Sequence, residues 1–470
     1  MSANHALGLT SQPVELTQVA LNVEGKIPSW VRGTLVRNGP GKFEVGERTI
    51  RHWFDGYAML HAFHIEDGRV SYSNRFLRSN AYLKDSATGR LNYMGFAQDP
   101  CRALFRKFMT LFTTPDPGNN AVVNVTRLGN EFIAMTEAPL AVRFDPRTLE
   151  TLGVLDYDDR VAATLATAHP HFDSARSMGV NLMTEFGLKT KYQLYGITAT
   201  ARRKLAEIVS KDISYMHSFG LTQRYAVIVQ FSLRLGSAAT VLLSGRPFIE
   251  NFKFSPQTDT IFTIVELDTG RVVANVPADA FFAFHHINAY EDGDEALIVD
   301  IAAYNDARLI DQLYMDRLRQ SDRVEAGEFR RYRVPLNGGR AEYERLVDVR
   351  VELPRTNYRR NGLPYRYVYA SATRPDKPAF LEQLAKVDTH LRRAVMWCED
   401  GCYPGEPVFL SAPDSTAEDD GLVLSVVLDS RRGTSFLLVL DASSFQEVAR
   451  AHVPQHIPFG FHGQFFSGVL

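Results

Sequence analysis

The sequence predicts an all-β protein. Strand-like runs dominate the chain, at residues 226–231, 260–267, 296–301, 422–428 and 435–440. A turn also recurs in which an apolar run ends at aspartate and a second strand follows two to four residues later. These turns are evenly phased along the chain, and this phasing favours a β-propeller over other all-β folds.

The recurring turn is found at five aspartates, Asp67, Asp145, Asp268, Asp388 and Asp441. Aspartate and glycine suit the tight turn of a hairpin, and the flanking residues suit strands. The five are separated by 78, 123, 120 and 53 residues, which fits one, two, two and one repeats of about 62 residues. A copy without aspartate, at residues 332–339, falls in one of the expected gaps. Six intervals predict about seven blades, although a strand–Asp–turn–strand pattern also occurs in other antiparallel proteins.

Helical patterning is limited to residues 100–112, 200–211 and 378–386. Glycine and proline are spread throughout the 470 residues, and no low-complexity segment marks a linker. Single all-β propellers often exceed the usual domain size. We therefore expect one β-propeller domain over residues 1–470, with helices and loops forming a cap over the central axis.

Composition excludes several classes of protein. A formal net charge of −2 and a pI of about 6.7 provide no basic excess for phosphates, so we expect no nucleic-acid partner. Three cysteines, Cys101, Cys398 and Cys402, are too few for a disulfide scaffold and indicate a reducing compartment. Cys398 and Cys402 lack the second pair that a zinc site needs. We see no signal peptide and no apolar run of about 18 residues, so we expect a cytoplasmic protein, soluble or peripheral to a membrane.

Four of the 13 histidines are candidate metal ligands: His169, His217, His285 and His462. His169, His285 and His462 follow a repeat aspartate by 24, 17 and 21 residues. In a propeller, residues at a similar position within each repeat lie at a similar distance from the central axis. These side chains could therefore meet on the axis although they are distant in sequence. Neutral imidazoles suit a borderline divalent metal, and the residues alone do not choose among iron, zinc, copper and nickel. Any one of these histidines taken alone is better explained as a structural residue.

The segments around these histidines resemble motifs of the carotenoid cleavage oxygenase family. They are Thr167-Ala168-His169-Pro170-His171-Phe172-Asp173, Met216-His217-Ser218-Phe219, Phe284-His285-His286-Ile287-Asn288-Ala289-Tyr290-Glu291 and Pro458-Phe459-Gly460-Phe461-His462-Gly463. Further matches are Arg37-Asn38-Gly39-Pro40, Trp53-Phe54-Asp55-Gly56, Leu60-His61 and Glu418-Asp419-Asp420-Gly421. The resemblance runs from about residue 15 to the C-terminus and is strongest to the animal β-carotene oxygenase and retinoid isomerase branch.

The resemblance implies a seven-bladed propeller with iron(II) on its axis, in agreement with the repeat count. It implies that the iron ligands are His169, His217, His285 and His462, taking the first histidine of each double-histidine motif. Three glutamates, Glu137, Glu352 and Glu406, match family residues that hydrogen-bond ligand histidines. A carboxylate that accepts the second ring N–H fixes the tautomer and makes the imidazole a better donor.

Thr136 matches a family threonine whose methyl group crowds an open coordination position. From sequence alone, the same position could hold an ordinary strand threonine. Each of the three glutamates, without the resemblance, would be assigned to the protein surface.

The implied activity is oxidative cleavage of a conjugated double bond in a carotenoid or apocarotenoid by dioxygen. It yields two carbonyl products, and conversion of β-carotene to retinal is one candidate reaction. The chain itself would position the polyene and exclude water. Three alternatives stay open: a stilbene-cleaving oxygenase, a retinoid isomerase on the same scaffold, and a metal-free propeller that binds proteins. We infer no obligate protein partner.

A carotenoid resides in a membrane, so the enzyme needs a surface for access. Residues 94–112, within an insertion over 94–118, combine apolar bulk with three cations, as in an interfacial amphipathic helix. The resemblance assigns membrane contact and substrate entry to this region. The alternative is a helix packed on the propeller, and Cys101 is either acylated or a plain thiol.

Overall fold

The computed structural model describes residues 4–93, 95–97, 119–159, 161, 163–187, 189–198, 200–236, 244, 246–321, 323–373 and 380–469. The predicted helix over residues 100–112 and Cys101 lie outside these residues, as does most of the insertion predicted over 94–118. Within the described residues, no helix is long and apolar enough to cross a membrane.

Strands account for most of the regular structure. The first are β1 Leu16–Ala20, β2 Asn22–Gly25, β3 Gly33–Lys42, β4 Glu44–Val45, β5 Arg48–Thr49, β6 Tyr57–Glu66, β7 Arg69–Phe76, β8 Asn124–Leu128, β9 Glu131–Met135, β10 Val142–Phe144, β11 Thr151–Val154 and β12 Leu165–Ala166. The next are β13 His171–Asp173, β14 Met178–Glu185, β15 Thr190–Ile197, β16 Arg202–Ser210, β17 Ile213–Ser214, β18 Gly220–Leu221, β19 Tyr225–Gln230, β20 Leu233–Leu235, β21 Lys253–Phe254, β22 Thr260–Glu266, β23 Val272–Ala278 and β24 Phe282–Asp292. The last are β25 Ala296–Tyr304, β26 Gly327–Pro335, β27 Glu342–Thr356, β28 Tyr367–Thr373, β29 Gln383–Asp388, β30 Arg393–Trp397, β31 Cys402–Pro404, β32 Val408–Ser411, β33 Gly421–Asp429, β34 Thr434–Asp441, β35 Glu447–His452 and β36 Gly463–Ser467.

The helices of the described residues are few and short. The α-helices are α1 Asn80–Thr88, α2 Arg308–Gln312 and α3 Met315–Leu318. Short 3₁₀-helices occupy Asn4–Leu9, Trp53–Asp55, Ile249–Asn251 and Tyr358–Arg360. The fold is therefore mostly β, as the sequence predicts.

The strands form antiparallel sheets. Their orders are β1-β7-β6-β3-β36, β11-β10-β9-β8, β12-β14-β15-β16 with β13 also on β14, β18-β19-β22-β23, β2-β35-β34-β33-β31 with β32 also on β33, and β24-β25-β26-β27-β28-β29-β30. Two smaller sheets are β17-β20-β21 and β4-β5. Strands from both ends of the chain meet in two of these sheets, because β2 pairs with β35 and β3 pairs with β36.

The five predicted strands are confirmed as β19, β22, β25, β33 and β34. The predicted helix over 200–211 is wrong, because this stretch is β16 and pairs with β15 from Thr190↔Ser210 to Ile197↔Arg202. The predicted helix over 378–386 is also wrong in its described part, where β29 begins at Gln383. Both stretches contain good helix formers, but ladder pairing with neighbouring strands outweighs their intrinsic propensity.

Each of the five repeat aspartates lies in a hairpin, as predicted. Asp67 joins β6 to β7 with φ 51°, and Asp268 lies between β22 and β23. Asp145, Asp388 and Asp441 each accept hydrogen bonds from backbone N–H groups two or three residues further on. This side-chain bond closes the turn locally, which is why aspartate recurs there. The copy without aspartate, at residues 332–339, joins β26 to β27.

The core lies between neighbouring sheets. One example is the face between the sheet of β14 and β15 and the sheet of β19, where Val180 and Leu194 pack with Phe219 and Ile228. All four side chains are buried. Alternating residues of each strand point into such a face, so that sheet-on-sheet packing holds the strand ends in fixed positions.

Candidate metal centre

The four candidate histidines come together at one point, although they lie on different sheets. His285 is within β24 and His462 directly precedes β36, while His169 lies between β12 and β13 and His217 lies between β17 and β18. Strands β12, β18, β24 and β36 each end the strand order of a sheet. One ring nitrogen from each histidine lies within 4.8 Å of those of the other three.

The imidazoles face one another through their Nε2 atoms. His169 Nε2 is 2.9 Å from His217 Nε2, and His285 Nε2 is 3.2 Å from His462 Nε2. Three of the four residues are buried, and His169 is partly exposed. The four inward-facing nitrogens are therefore available to a metal ion, while the Nδ1 atoms of three rings are engaged by carboxylates.

Glu137 engages His217. Its Oε1 atom is 2.6 Å from His217 Nδ1 and also accepts a 2.7 Å hydrogen bond from the hydroxyl of Tyr215. Burial and then the negative charge of Glu137 raise the pKa of Tyr215 well above its usual range, so this hydroxyl stays a donor. Thr136 directly precedes Glu137, just after β9, and is partly buried.

Glu352 engages His285 in the same way. Its Oε2 atom is 2.5 Å from His285 Nδ1 and accepts the backbone N–H of Leu353 at 2.7 Å. Its Oε1 atom accepts the hydroxyl of Tyr304 at 2.8 Å. Burial by itself would raise the pKa of Glu352, but His285 and these donors lower it below its ordinary value, so the group is a carboxylate.

Glu406 engages His462 with a different set of partners. Its Oε1 atom is 2.7 Å from His462 Nδ1, and its Oε2 atom accepts the N–H of Gly463 at 2.9 Å. Arg37 donates to Oε2 at 2.5 Å and Arg355 donates to Oε1 at 2.8 Å. Burial opposes ionisation, but Arg355, His462 and Arg37 hold the pKa of Glu406 well below its usual value.

The two arginines change the charge of the site. The sequence indicated three carboxylates, whose charges nearly balance a dipositive ion. Arg37 and Arg355 add two positive charges beside the third carboxylate. In the sequence, Arg37 was part of a family motif but had no assigned role. No local pattern marked Tyr215, Tyr304 or Arg355 as part of the site.

His169 differs from the other three histidines. Among the residues that the structure describes, no carboxylate contacts its ring. Burial, and then the neighbouring histidines, lower the pKa of His169 well below its usual value. Burial lowers the pKa of His462 to about 3, with Glu406 acting in the opposite direction. Both are therefore neutral imidazoles, the protonation state that binds metals.

The second histidine of each double-histidine motif turns away from the centre. His286 Nδ1 is 2.8 Å from the hydroxyl oxygen of Ser218. His171 Nε2 is 2.9 Å from the carbonyl oxygen of Phe219, and its Nδ1 is 3.2 Å from Asn361 Oδ1. Neither belongs to the cluster of inward-facing nitrogens.

A cluster around Cys402 also brings potential metal ligands together, with Glu399 and Asp429. The guanidinium of Arg431 lies among them, 2.6 Å from Glu399 and 3.0 Å from Asp429. These contacts make the cluster an ion-pair network. Cys398 is exposed and does not belong to it.

A cavity reaches the candidate metal centre. Its walls are mostly apolar and include three of the ligand candidates, His217, His285 and His462, together with the carboxylate partner Glu352. The lining residues are Trp53, Phe54, Val123, His217, Phe284, His285, Leu309, Leu313, Val324, Glu325, Glu352, Leu353, Phe380, Leu381, Phe461 and His462. Such a lining suits an apolar ligand and offers few groups that would hold water.

Comparison with known proteins identifies the family. The family described as retinal pigment epithelial membrane protein matches residues 9–467. The β,β-carotene 15,15'-dioxygenase of Mus musculus is 34% identical over 515 residues, covering 96% of this chain and 89% of the relative. The carotenoid isomerooxygenase of Galleria mellonella is 34% identical over 488 residues, covering 97% and 94%.

A solved structure of cobalt-substituted apocarotenoid oxygenase from Synechocystis superimposes with a TM-score of 0.88 at 28% identity, covering 99% of this chain and 98% of that chain. The sequence matches and this structural match each span nearly the whole chain. The protein belongs to the retinal pigment epithelial membrane protein family, the carotenoid cleavage oxygenases that its motifs resemble.

Proposed function

We propose that this protein is an iron(II)-dependent dioxygenase that cleaves a conjugated double bond of a carotenoid or apocarotenoid into two carbonyl products. The observation that carries the proposal is a four-histidine centre that opens onto an apolar, aromatic cavity. The relatives named as carotene-cleaving enzymes support it, since they match nearly the whole chain. β-Carotene, with retinal as the product, is the first substrate to test.

The donor set fits iron(II). His169, His217, His285 and His462 would hold the ion through neutral imidazole nitrogens, which suit borderline divalent metals. Their spacing supports this role, because four ring nitrogens face one another within 4.8 Å. When bound, iron(II) would supply the activation of dioxygen that oxidative cleavage of an alkene requires.

The remaining groups would orient and protect the site. Glu137, Glu352 and Glu406 fix the tautomers of three histidines by accepting hydrogen bonds from their Nδ1–H groups. Thr136, adjacent to Glu137, is proposed to restrict access to one side of the metal. The cavity walls, including Phe284 and other aromatic side chains, would place one double bond beside the metal and exclude water.

We further propose that the sheets form seven blades around the axis. The seven-stranded sheet supports this count if it divides within β27. The first part of β27 pairs with β26 as far as Val351, and the last part pairs with β28 from Arg350 to Thr356. The register shifts after Glu352, so this glutamate lies where one blade would give way to the next.

The membrane role of residues 94–112 stays a proposal that rests on their sequence. Residues 95–97 lie within the described part, and the backbone N–H groups of Phe96 and Ala97 donate to Asp55. The Phe96 ring packs against Phe54, which lines the cavity. A substrate that entered beside this segment would therefore arrive at the cavity. We propose a cytoplasmic enzyme that is peripheral to a membrane.

Isomerisation coupled to cleavage is the second candidate. It is favoured by the carotenoid isomerooxygenase relative, which matches at the same 34% identity as the mouse cleaving enzyme. The two reactions differ in the geometry of the products, so double-bond configuration must be scored together with product mass.

The test is anaerobic reconstitution with iron(II), followed by all-trans-β-carotene in detergent and then admission of air. Retinal that appears only with iron and air, identified by mass spectrometry and resolved into isomers by chromatography, would support the proposal. The control is metal-free protein treated in the same way. One iron per chain without product would reject β-carotene, and apocarotenals, stilbenes and retinyl esters would be tested next. A metal-free binding protein predicts no iron uptake and no effect of His462→Ala.

A further inference from the structure

Asn38, in the motif Arg37-Asn38-Gly39-Pro40, is bonded to the chain around His462. The N–H of Asn38 donates to the carbonyl of His462 at 2.8 Å, and the N–H of Phe461 donates to the carbonyl of Asn38 at 2.9 Å. The two segments touch backbone to backbone, since a Cβ added at Gly39 would lie 2.3 Å from the Cα of Gly460. Asn38 therefore fixes the main chain that carries His462.

The side chain of Asn38 holds a second segment, residues 121–124. Its Nδ2 atom donates to the carbonyl of Ala121 at 2.7 Å and to the carbonyl of Asn124 at 3.2 Å. Both partners are acceptors, so the amide orientation is determined. The same segment accepts the N–H of His462 on the carbonyl of Val123 at 3.2 Å. Asn38 and His462 are thus both tied to residues 121–124.

Asn124 continues this connection to the remaining ligand candidate. Its Nδ2 atom donates to the carbonyl of Ala168 at 2.8 Å, and its Oδ1 atom accepts the N–H of Val125 at 2.8 Å. Ala168 directly precedes His169 and is fully buried. His169 is also the one candidate without a carboxylate on its ring among the described residues, so its orientation depends more heavily on its main chain.

We propose that Asn38 and Asn124 are positioning residues that fix His169 relative to His462. The inference rests on the proposed metal function and adds to it. Glutamates orient three of the histidines through their rings, and the two asparagines orient the fourth through its backbone. This assigns a role to Asn38, whose place in the motif is not explained by the contact of Arg37 with Glu406.

The experiment uses Asn124→Asp, which keeps the acceptor for Val125 but sets an anionic oxygen against the carbonyl of Ala168. The matched control is Asn251→Asp. Asn251 is buried, whereas Asn124 is partly buried, and the Nδ2 atom of Asn251 donates to the carbonyls of Pro247 and Phe248 at 2.7 and 3.2 Å. Among the described residues, its side chain has no hydrogen bond to a segment that carries one of the four histidines. Both proteins are loaded anaerobically with cobalt(II), whose visible spectrum reports ligand geometry, and the affinity is measured by chelator competition.

We expect Asn124→Asp to bind cobalt(II) about tenfold more weakly than wild type and with a shifted visible spectrum, as for other groups that orient a ligand. Asn251→Asp should lower the melting temperature of the metal-free protein to a similar extent yet keep the wild-type spectrum and affinity. Asn124→Ala removes the donor without adding charge and gives the same readouts if the aspartate variant does not fold.

Wild-type affinity and spectrum in Asn124→Asp, or an equal change in Asn251→Asp, would overturn the positioning role and leave the proposed function intact. If the wild-type protein itself takes up neither cobalt nor iron, the proposed metal centre is refuted instead.

Discussion

Replacing Glu352 by glutamine tests how much the carboxylates contribute to metal binding. Glu352 accepts from His285 Nδ1, the Leu353 N–H and the Tyr304 hydroxyl at 2.5, 2.7 and 2.8 Å. A glutamine oxygen in the Oε2 position keeps the first two bonds. Its amide group would face Tyr304, whose hydroxyl oxygen can accept in turn. The geometry therefore survives, and the change removes mainly the negative charge.

The expected loss follows from that change. A hydrogen bond to a charged group contributes about 1.5–3 kcal/mol, against about 1 kcal/mol for a neutral one. Glu352→Gln should therefore weaken metal binding by about 0.5–2 kcal/mol, which is roughly a factor of 2 to 30. This range overlaps the loss of about 10- to 100-fold seen when groups that orient metal ligands are altered elsewhere.

The assay is anaerobic titration of metal-free protein with iron(II) against a chromophoric chelator. The control is Glu328→Gln on the adjacent strand β26. Glu328 is half-buried and pairs with Arg330 and Arg350 at 2.6 and 2.8 Å, without contact to a candidate ligand. The reasoning is refuted if Glu352→Gln binds iron within twofold of wild type, or if Glu328→Gln loses as much.

Three further predictions concern the ligands, the stability and the cavity. His285→Ala should abolish stoichiometric iron binding and product formation. His286→Ala should retain iron, because the His286 ring bonds to a serine and does not face the centre. Equal iron content in the two variants would contradict the assignment. Burial raises the pKa of Asp55 from 3.8 to about 6, so its contribution to stability is complete below pH 3.8 and is lost as pH rises through 6. The free energy of unfolding of wild type should accordingly decline relative to Asp55→Asn between pH 4 and 7, and a constant difference in urea melts would reject this. Leu309→Trp should narrow the cavity and lower kcat/KM for β-carotene about tenfold or more, with the iron content unchanged. An unchanged kcat/KM would show that the polyene binds elsewhere.

The turns and many strands were predictable because their causes are local. At Asp145 and Asp441 the side chain closes the turn through neighbouring backbone N–H groups, and nothing distant is required. Strand runs such as residues 422–428 carry their own apolar pattern. The helix predicted over residues 200–211 is wrong because their composition favours a helix, whereas pairing with β15 from Arg202 to Ser210 makes this part a strand.

The sequence by itself indicated the all-β class, the recurring aspartate turns and a set of candidate histidines, and its resemblance to a family added the three glutamates. Only the tertiary structure decided which nitrogens face inward and what holds them. His285 and His462 are 177 positions apart, and their Nε2 atoms meet at 3.2 Å only because two sheets bring β24 and β36 together. Tyr215, Tyr304 and Arg355 likewise reach the glutamates through space. Hydrogen bonds of this kind depend on atomic distances set by packing between sheets, and no short stretch of sequence encodes those distances.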